Sequence, residues 1–258
     1  MNWLTGGTQG EARRLVSQLN DPQRRDSAAR ELIKLGADAV PPLIEALQSQ
    51  DASLVLYCQH VLARIPAATP LLAKALASAH PLTRGRVAEI FGVSRDKSAV
   101  PALLEALQGE YFTVRARAAL ALANIGDARA VKFLLPLLKD REDEVRSAAC
   151  AAIAKFKDPS TFDEITAVLL DDPILEARRS AARALGETKH PAALPFLMEA
   201  LRDSSWWFER EQAAADLLDA IKNMGAAAVE PLIEALHDRE GAVRRYAASV
   251  LGEMGDPR

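Results

Sequence analysis

The feature that most constrains this chain is a repeat. A six-residue segment at 42–47, Pro-Leu-Ile-Glu-Ala-Leu, returns unchanged at 231–236 and with two substitutions each at 102–107 and 196–201. Weaker copies fill the gaps. Aligning the final leucine gives Leu19, Leu47, Leu76, Leu107, Leu138, Leu169, Leu201 and Leu236, in steps of 28 to 35 residues. A period in that range means an array, in which units too short to bury their own apolar faces stack on their neighbours.

Each unit carries a second recurring segment, seen at 114–122, 145–153, 177–185 and 243–251, rich in alanine and opening on valine or alanine followed by arginine. In both segments apolar residues recur at intervals of three and four, the mark of an amphipathic helix. Every unit is therefore predicted to be a helical hairpin. Aromatic residues are only 5% of the chain, which favours helices packed through small side chains over a β-sandwich, and apolar residues at 49% exclude general disorder. The predicted fold is all-α, a right-handed α-solenoid of about eight hairpins.

Punctuation sets the boundaries. Gly36, Gly126, Gly225 and Gly255 end second helices, where a residue without Cβ takes the left-handed cap. Asp38, Asp96, Asp127 and Asp158 follow as N-caps, and Pro41, Pro101, Pro195 and Pro231 occupy first turns, where a missing N–H costs little. This reading gives a tail at 1–10 and a single repeat domain at 11–258, with repeats at about 11–36, 37–66, 67–95, 96–126, 127–157, 158–189, 190–225 and 226–255.

The stretches from Val114 to Val131 and from Val243 to Arg258 resemble the HEAT-like repeat of the phycobilisome lyase family, whose motif reads approximately Val-Arg-x-x-Ala-Ala-x-Ala-Leu-Gly-x-Ile-Gly-Asp-Pro-Arg-Ala-Val. The resemblance extends over nearly the whole chain. It implies the fold strongly and the function weakly, because the family includes bilin lyase subunits, adaptor-like scaffolds, a hydroxylase, DNA glycosylases and designed binders.

Three places depart from the motif. The second repeat has Val55 in place of arginine and ends on Ile65-Pro66; the seventh is longer and has Glu211 at the arginine position. The chain stops at Gly255-Asp256-Pro257-Arg258, the beginning of another repeat, and is expected to be part of a longer array or to have its last repeat covered by a partner.

With the second helix numbered from its valine position as zero, positions 0, 3, 4, 7 and 8 face the core. Position 1, filled by Arg25, Arg84, Arg115, Arg146, Arg178 and Arg244, points sideways. These arginines, with Asp96, Asp127 and Asp158, are expected to form a ladder between neighbouring repeats. Positions 2 and 6 point away from the core, toward the concave surface that second helices line in arrays of this kind. They change from repeat to repeat: Leu56 and His60, Ala116 and Leu120, Arg179 and Arg183, for example. Leu56, His60, Ala116 and Leu120 are read as the apolar floor of a protein- or peptide-binding groove, with Arg179 and Arg183 steering an acidic partner. Trp206 and Trp207 precede a second helix; two adjacent tryptophans are hard to bury together, and one is expected as an exposed anchor.

Other chemistry finds little support. A net charge of −3 offers no bulk attraction to nucleic acid or anionic membrane, and no run of about 18 apolar residues or leader-like start occurs. A cytoplasmic location is expected. Cys58 and Cys150 lie three repeats apart, on the order of 30 Å, too far for a disulfide. His60, His80, His190 and His237 are scattered with no ligand-spaced partner, so no catalytic residue, metal or cofactor is assigned. The expected function is a non-catalytic interaction scaffold. The alternatives are a lyase-like or chaperone-like subunit for tetrapyrrole attachment, implied only by the resemblance, and DNA binding through Arg178, Arg179, Arg183, Arg244 and Arg245.

Overall fold

In a computed structural model of the chain, which describes residues 3–78, 80–203 and 211–255, the described residues are helical throughout and contain no strand. The chain divides into two compact units, Met1–Ala130 and Val131–Arg258.

The first unit is four hairpins: α1 (Trp3–Gln18) with α2 (Arg25–Leu35), α3 (Val40–Ala46) with α4 (Ala52–Leu62), α5 (Thr69–Ser78) with α6 (Pro81–Ser94), and α7 (Val100–Ala106) with α8 (Phe112–Ile125). The second repeats the plan. In its first hairpin α9 (Val131–Leu134) tightens into a 3-10 segment, Leu135–Lys139, before α10 (Asp143–Ala154). Pro136 sits in that segment and has no N–H to give an α-helical ladder. The remaining hairpins are α11 (Phe162–Asp171) with α12 (Leu175–Thr188), α13 (Ala193–Ala200) with α14 (Glu211–Asn223), and α15 (Val229–Ala235) with α16 (Gly241–Met254).

The predicted all-α repeat fold is therefore present, with one correction at its start. The segment expected as a tail, 1–10, is helical from Trp3 onward. Gly6, Gly7 and Gly10 are poor helix formers, but extending a helix from a turn already anchored by Ala12, Leu15 and Leu19 costs far less than starting one.

The periodic leucines build the core. Leu19, Leu47, Leu169 and Leu201 are 0% exposed, and Leu76, Leu107 and Leu138 are also buried; only Leu236, in the last hairpin, is half-buried. Each fully buried leucine contributes about 2 kcal/mol of hydrophobic stabilisation. Against them pack the small residues of the second helices, such as Ala118, Ala149, Ala181 and Ala247. Gly36, Gly126, Gly225 and Gly255 all take positive φ, as their cap positions require. At three other second-helix ends the same left-handed position holds a basic residue instead: Arg95, Lys157 and Lys189, with φ of 50 to 52°.

Candidate functional site

The arginines at the first position after the valine do two jobs. Their first is inside the hairpin. Arg84 donates to the Leu76 carbonyl at 2.7 Å, Arg115 to those of Gly109 and Glu110 at 2.9 and 2.8 Å, and Arg146 to that of Asp140 at 2.8 Å. Arg178 likewise donates to Leu169 at 2.9 Å, and Arg244 to Asp238 and Arg239 at 2.7 and 2.9 Å. Carbonyls at the end of the first helix and in the turn after it lack intrahelical partners, and a guanidinium returning from the second helix satisfies them.

The second job reaches the following hairpin. Arg25 lies over the Tyr57 ring, 4.7 Å from its centroid, and Arg84 over Tyr111 at 5.9 Å. Arg146 grips Asp172 with both ends of its fork, at 2.5 and 2.9 Å, and Arg178 holds Asp203 at 2.7 Å. The acidic partners are thus turn residues inside the next hairpin. Asp96, Asp127 and Asp158, expected in this ladder, instead accept the backbone N–H of Ser98, Arg129 and Ser160 two residues on. Hydrogen bonds hold all three carboxyls below the ordinary carboxylate range: at Asp96 the main cause is the Thr69 hydroxyl of the preceding hairpin, so this aspartate does join neighbouring hairpins, though not through an arginine; the Arg129 side chain lowers Asp127 to about 2, and Ser160 lowers Asp158. The turn aspartates were missed; Asp203 stands two residues after an aligned leucine and Asp172 three, so no single spacing marks both.

The second repeat, which lacks the arginine, is served from outside. Arg86 of α6 donates to the Leu47 and Ser49 carbonyls, the latter at 3.0 Å. In the seventh, Arg202 from the hairpin's own turn reaches the Met198 carbonyl at 3.4 Å.

The residues proposed as a groove divide between the units. In the first, Leu56 is 51% and Leu120 37% exposed; His60 is exposed too, and Ala116 half-buried. Between α4 and α8 lies α6, and there the floor is polar. Gln59 donates to Glu89 at 2.7 Å, and Glu89 pairs with Arg117 at 3.2 Å, joining α4, α6 and α8. Arg117 lies flat across Gly85, where an added Cβ would stand 2.9 Å from Nη1. The two leucines therefore flank a charged bridge rather than form one apolar floor. Val93, on α6, adds a third exposed aliphatic side chain.

In the second unit, Arg179 binds Asp216 and, at 2.7 Å, Glu176; Arg183 lies 3.5 Å from Glu176 and 3.7 Å from Asp216. Two guanidiniums face two carboxylates. The pair expected to steer an acidic partner is neutralised by its own neighbours, and Arg179 is largely buried together with Asp216. Trp206 and Trp207 lie outside the described residues. Burial pushes both cysteine thiols up to about 12, so neither is a ready nucleophile. Among the described residues no three His, Cys, Asp or Glu side chains converge as a metal site, and no helix is long and apolar enough to cross a membrane.

With this geometry in place, the family comparisons are decisive. The profile for HEAT repeats matches residues 68–149 and 131–218, together more than half of the chain. The chain belongs to the HEAT repeat family. The profile for the PBS lyase HEAT-like repeat matches residues 24–49. No curated protein sequence matches. Among solved structures, the YibA protein of Escherichia coli is similar at 20% identity with a TM-score of 0.54, covering 96% of each chain. The CpcE–CpcF complex of phycocyanin lyase from Nostoc sp. PCC7120 is similar at 22% identity, TM-score 0.46 and 93% of each chain. Human deoxyhypusine hydroxylase follows at 20% identity, TM-score 0.40, with 96% and 97% covered. At 20% identity the likeness to YibA speaks for the fold alone.

Proposed function

We propose that this HEAT-repeat protein is a non-catalytic scaffold that holds a protein or peptide partner on the second-helix surface of its first unit. The observation that carries the reading is the exposure of Leu56 and Leu120, at second-helix positions with no core duty. Isolated exposed leucines are ordinary, but here they flank a charged bridge, Gln59–Glu89–Arg117, that is already satisfied within the protein. An apolar pair around a preorganised polar centre suits a partner segment that buries aliphatic side chains on both sides and hydrogen-bonds in the middle. The second-helix surface is the concave one in arrays of this class, and it presents a large area without rearrangement. Because Arg179 and Arg183 are neutralised and belong to the other unit, they are left out of the site.

The test is affinity capture from source lysate with the wild type and with Leu56→Glu/Leu120→Glu. The scaffold reading expects the double variant to keep its melting temperature and to lose the captured partner. Equal capture by both proteins defeats it. A tetrapyrrole-handling role instead predicts a shift in bilin absorbance on mixing, where the scaffold reading predicts none.

A further inference from the structure

The residue two places before the aligned leucine is exposed in every hairpin, and in six of them it is polar: Ser17, Glu45, Lys74, Glu105, Glu199 and Glu234. In the fifth and sixth repeats, which are neighbours, it is Pro136 and Ala167. The polar row along the first-helix surface is therefore interrupted once, over two adjacent hairpins of the second unit. A groove of about 770 Å³ lies at that interruption, between the 3-10 segment Leu135–Lys139 and α11. Leu135, Leu138, Ala167 and Val168 give it an aliphatic floor, and the exposed Ile174 stands in the turn at one end.

The rim of the groove is charged unevenly. Asp163, Ala167 and Asp171 stand four residues apart and so share one face of α11, with Glu164 beside them. The three carboxylates are exposed, line the groove and form no ion pair among the described residues. Asp163 and Glu164 also suit the first turn of their helix, but Asp171 is its last residue, where the helix dipole disfavours an anion. On the opposite wall Arg141 is paired with Glu142 at 3.4 Å, which leaves Lys139 as the cation of that side.

We propose that this groove binds an amphipathic helix of a partner protein, with an aliphatic stripe against the floor and lysine or arginine two turns apart along the edge that faces α11. Charge and spacing select that occupant. Asp163 and Asp171 are separated by about 12 Å of helix, the span of two cations placed two turns apart on a helix laid alongside. Lys139 meets an acidic residue on the partner's other edge. Both walls are helical, so the groove has no strand edge to offer an extended peptide, and its three carboxylates turn away a nucleic-acid backbone.

The experiment titrates the full chain, by fluorescence anisotropy, with a labelled helical peptide of about 15 residues that carries a leucine stripe and lysines two turns apart on its edge. A twin peptide has glutamate in place of each lysine. The lysine peptide is expected to bind at least about tenfold more tightly than its twin. Ala167→Lys restores the kind of side chain that Lys74 supplies in the third repeat, and it can pair with Asp163 and Asp171 four residues to either side. Its melting temperature should hold while affinity for the lysine peptide falls at least about tenfold. Asp171→Lys, on the rim, should erase most of the preference for lysine over glutamate. The proposal is overturned if wild type binds neither peptide, or binds both equally, which is apolar adhesion alone. It is also overturned if affinity survives Ala167→Lys or the preference survives Asp171→Lys. Leu56→Glu/Leu120→Glu should bind the lysine peptide as wild type does; loss of binding there would place the peptide on the first unit and overturn the proposal, while leaving the scaffold reading intact.

Discussion

At the scale of single residues, the arginine that recurs in second helices is best understood as a clamp on the hairpin it belongs to, and only then as a rung to the next. Arg146 is the strongest case. Its side chain and that of Asp172 are 10% and 4% exposed, and the guanidinium also serves the Asp140 and Arg141 carbonyls. Replacing it with methionine strands a buried carboxylate and uncaps a helix end, a loss of about 3 kcal/mol or more in denaturant unfolding. Arg129→Ala breaks a pair that is 2.6 Å long but whose guanidinium is 78% exposed, and should move the unfolding midpoint far less than the Arg146 change. Equal losses from both would show that the clamp is not what holds the turn.

At the scale of helices, the sequence was most legible where one rule applied to every repeat. Leucine periodicity gave the hairpins, and glycine gave the caps at Gly36, Gly126, Gly225 and Gly255. It was least legible where a residue's partner lies on another element. Nothing in the spacing of Val55 says that Arg86 from the next hairpin serves the uncapped turn, or that Arg117 crosses Gly85 and divides Leu56 from Leu120. Of the two carboxylates that neutralise Arg179 and Arg183, Glu176 stands close by in the sequence, but Asp216 stands 33 residues or more along the chain and was hidden. The basic residues at left-handed cap positions were also hidden, since lysine is no marker of positive φ. Lys157 and Lys189 carry that strain, and glycine at either site should stabilise the protein by about 1 kcal/mol, measured from its chemical denaturation midpoint. A loss on substitution would mean that the lysine makes a compensating interaction.

At the scale of the whole molecule, different surfaces of the repeat scaffold have different tasks. The first-helix leucines and second-helix alanines hold the hairpins, the arginines fasten turn to turn, and what varies along the second helices is left for a partner. Two exposed aliphatic side chains, Leu56 and Leu120, standing on either side of a satisfied polar bridge, carry that claim. Amide hydrogen exchange of the protein with and without its captured partner tests it most directly. The account predicts added protection in α4 and α8, at 52–62 and 112–125, with the first helices α5 and α7 unchanged. Protection confined to 69–78 and 100–106, with α4 and α8 exchanging as in the free protein, would contradict it.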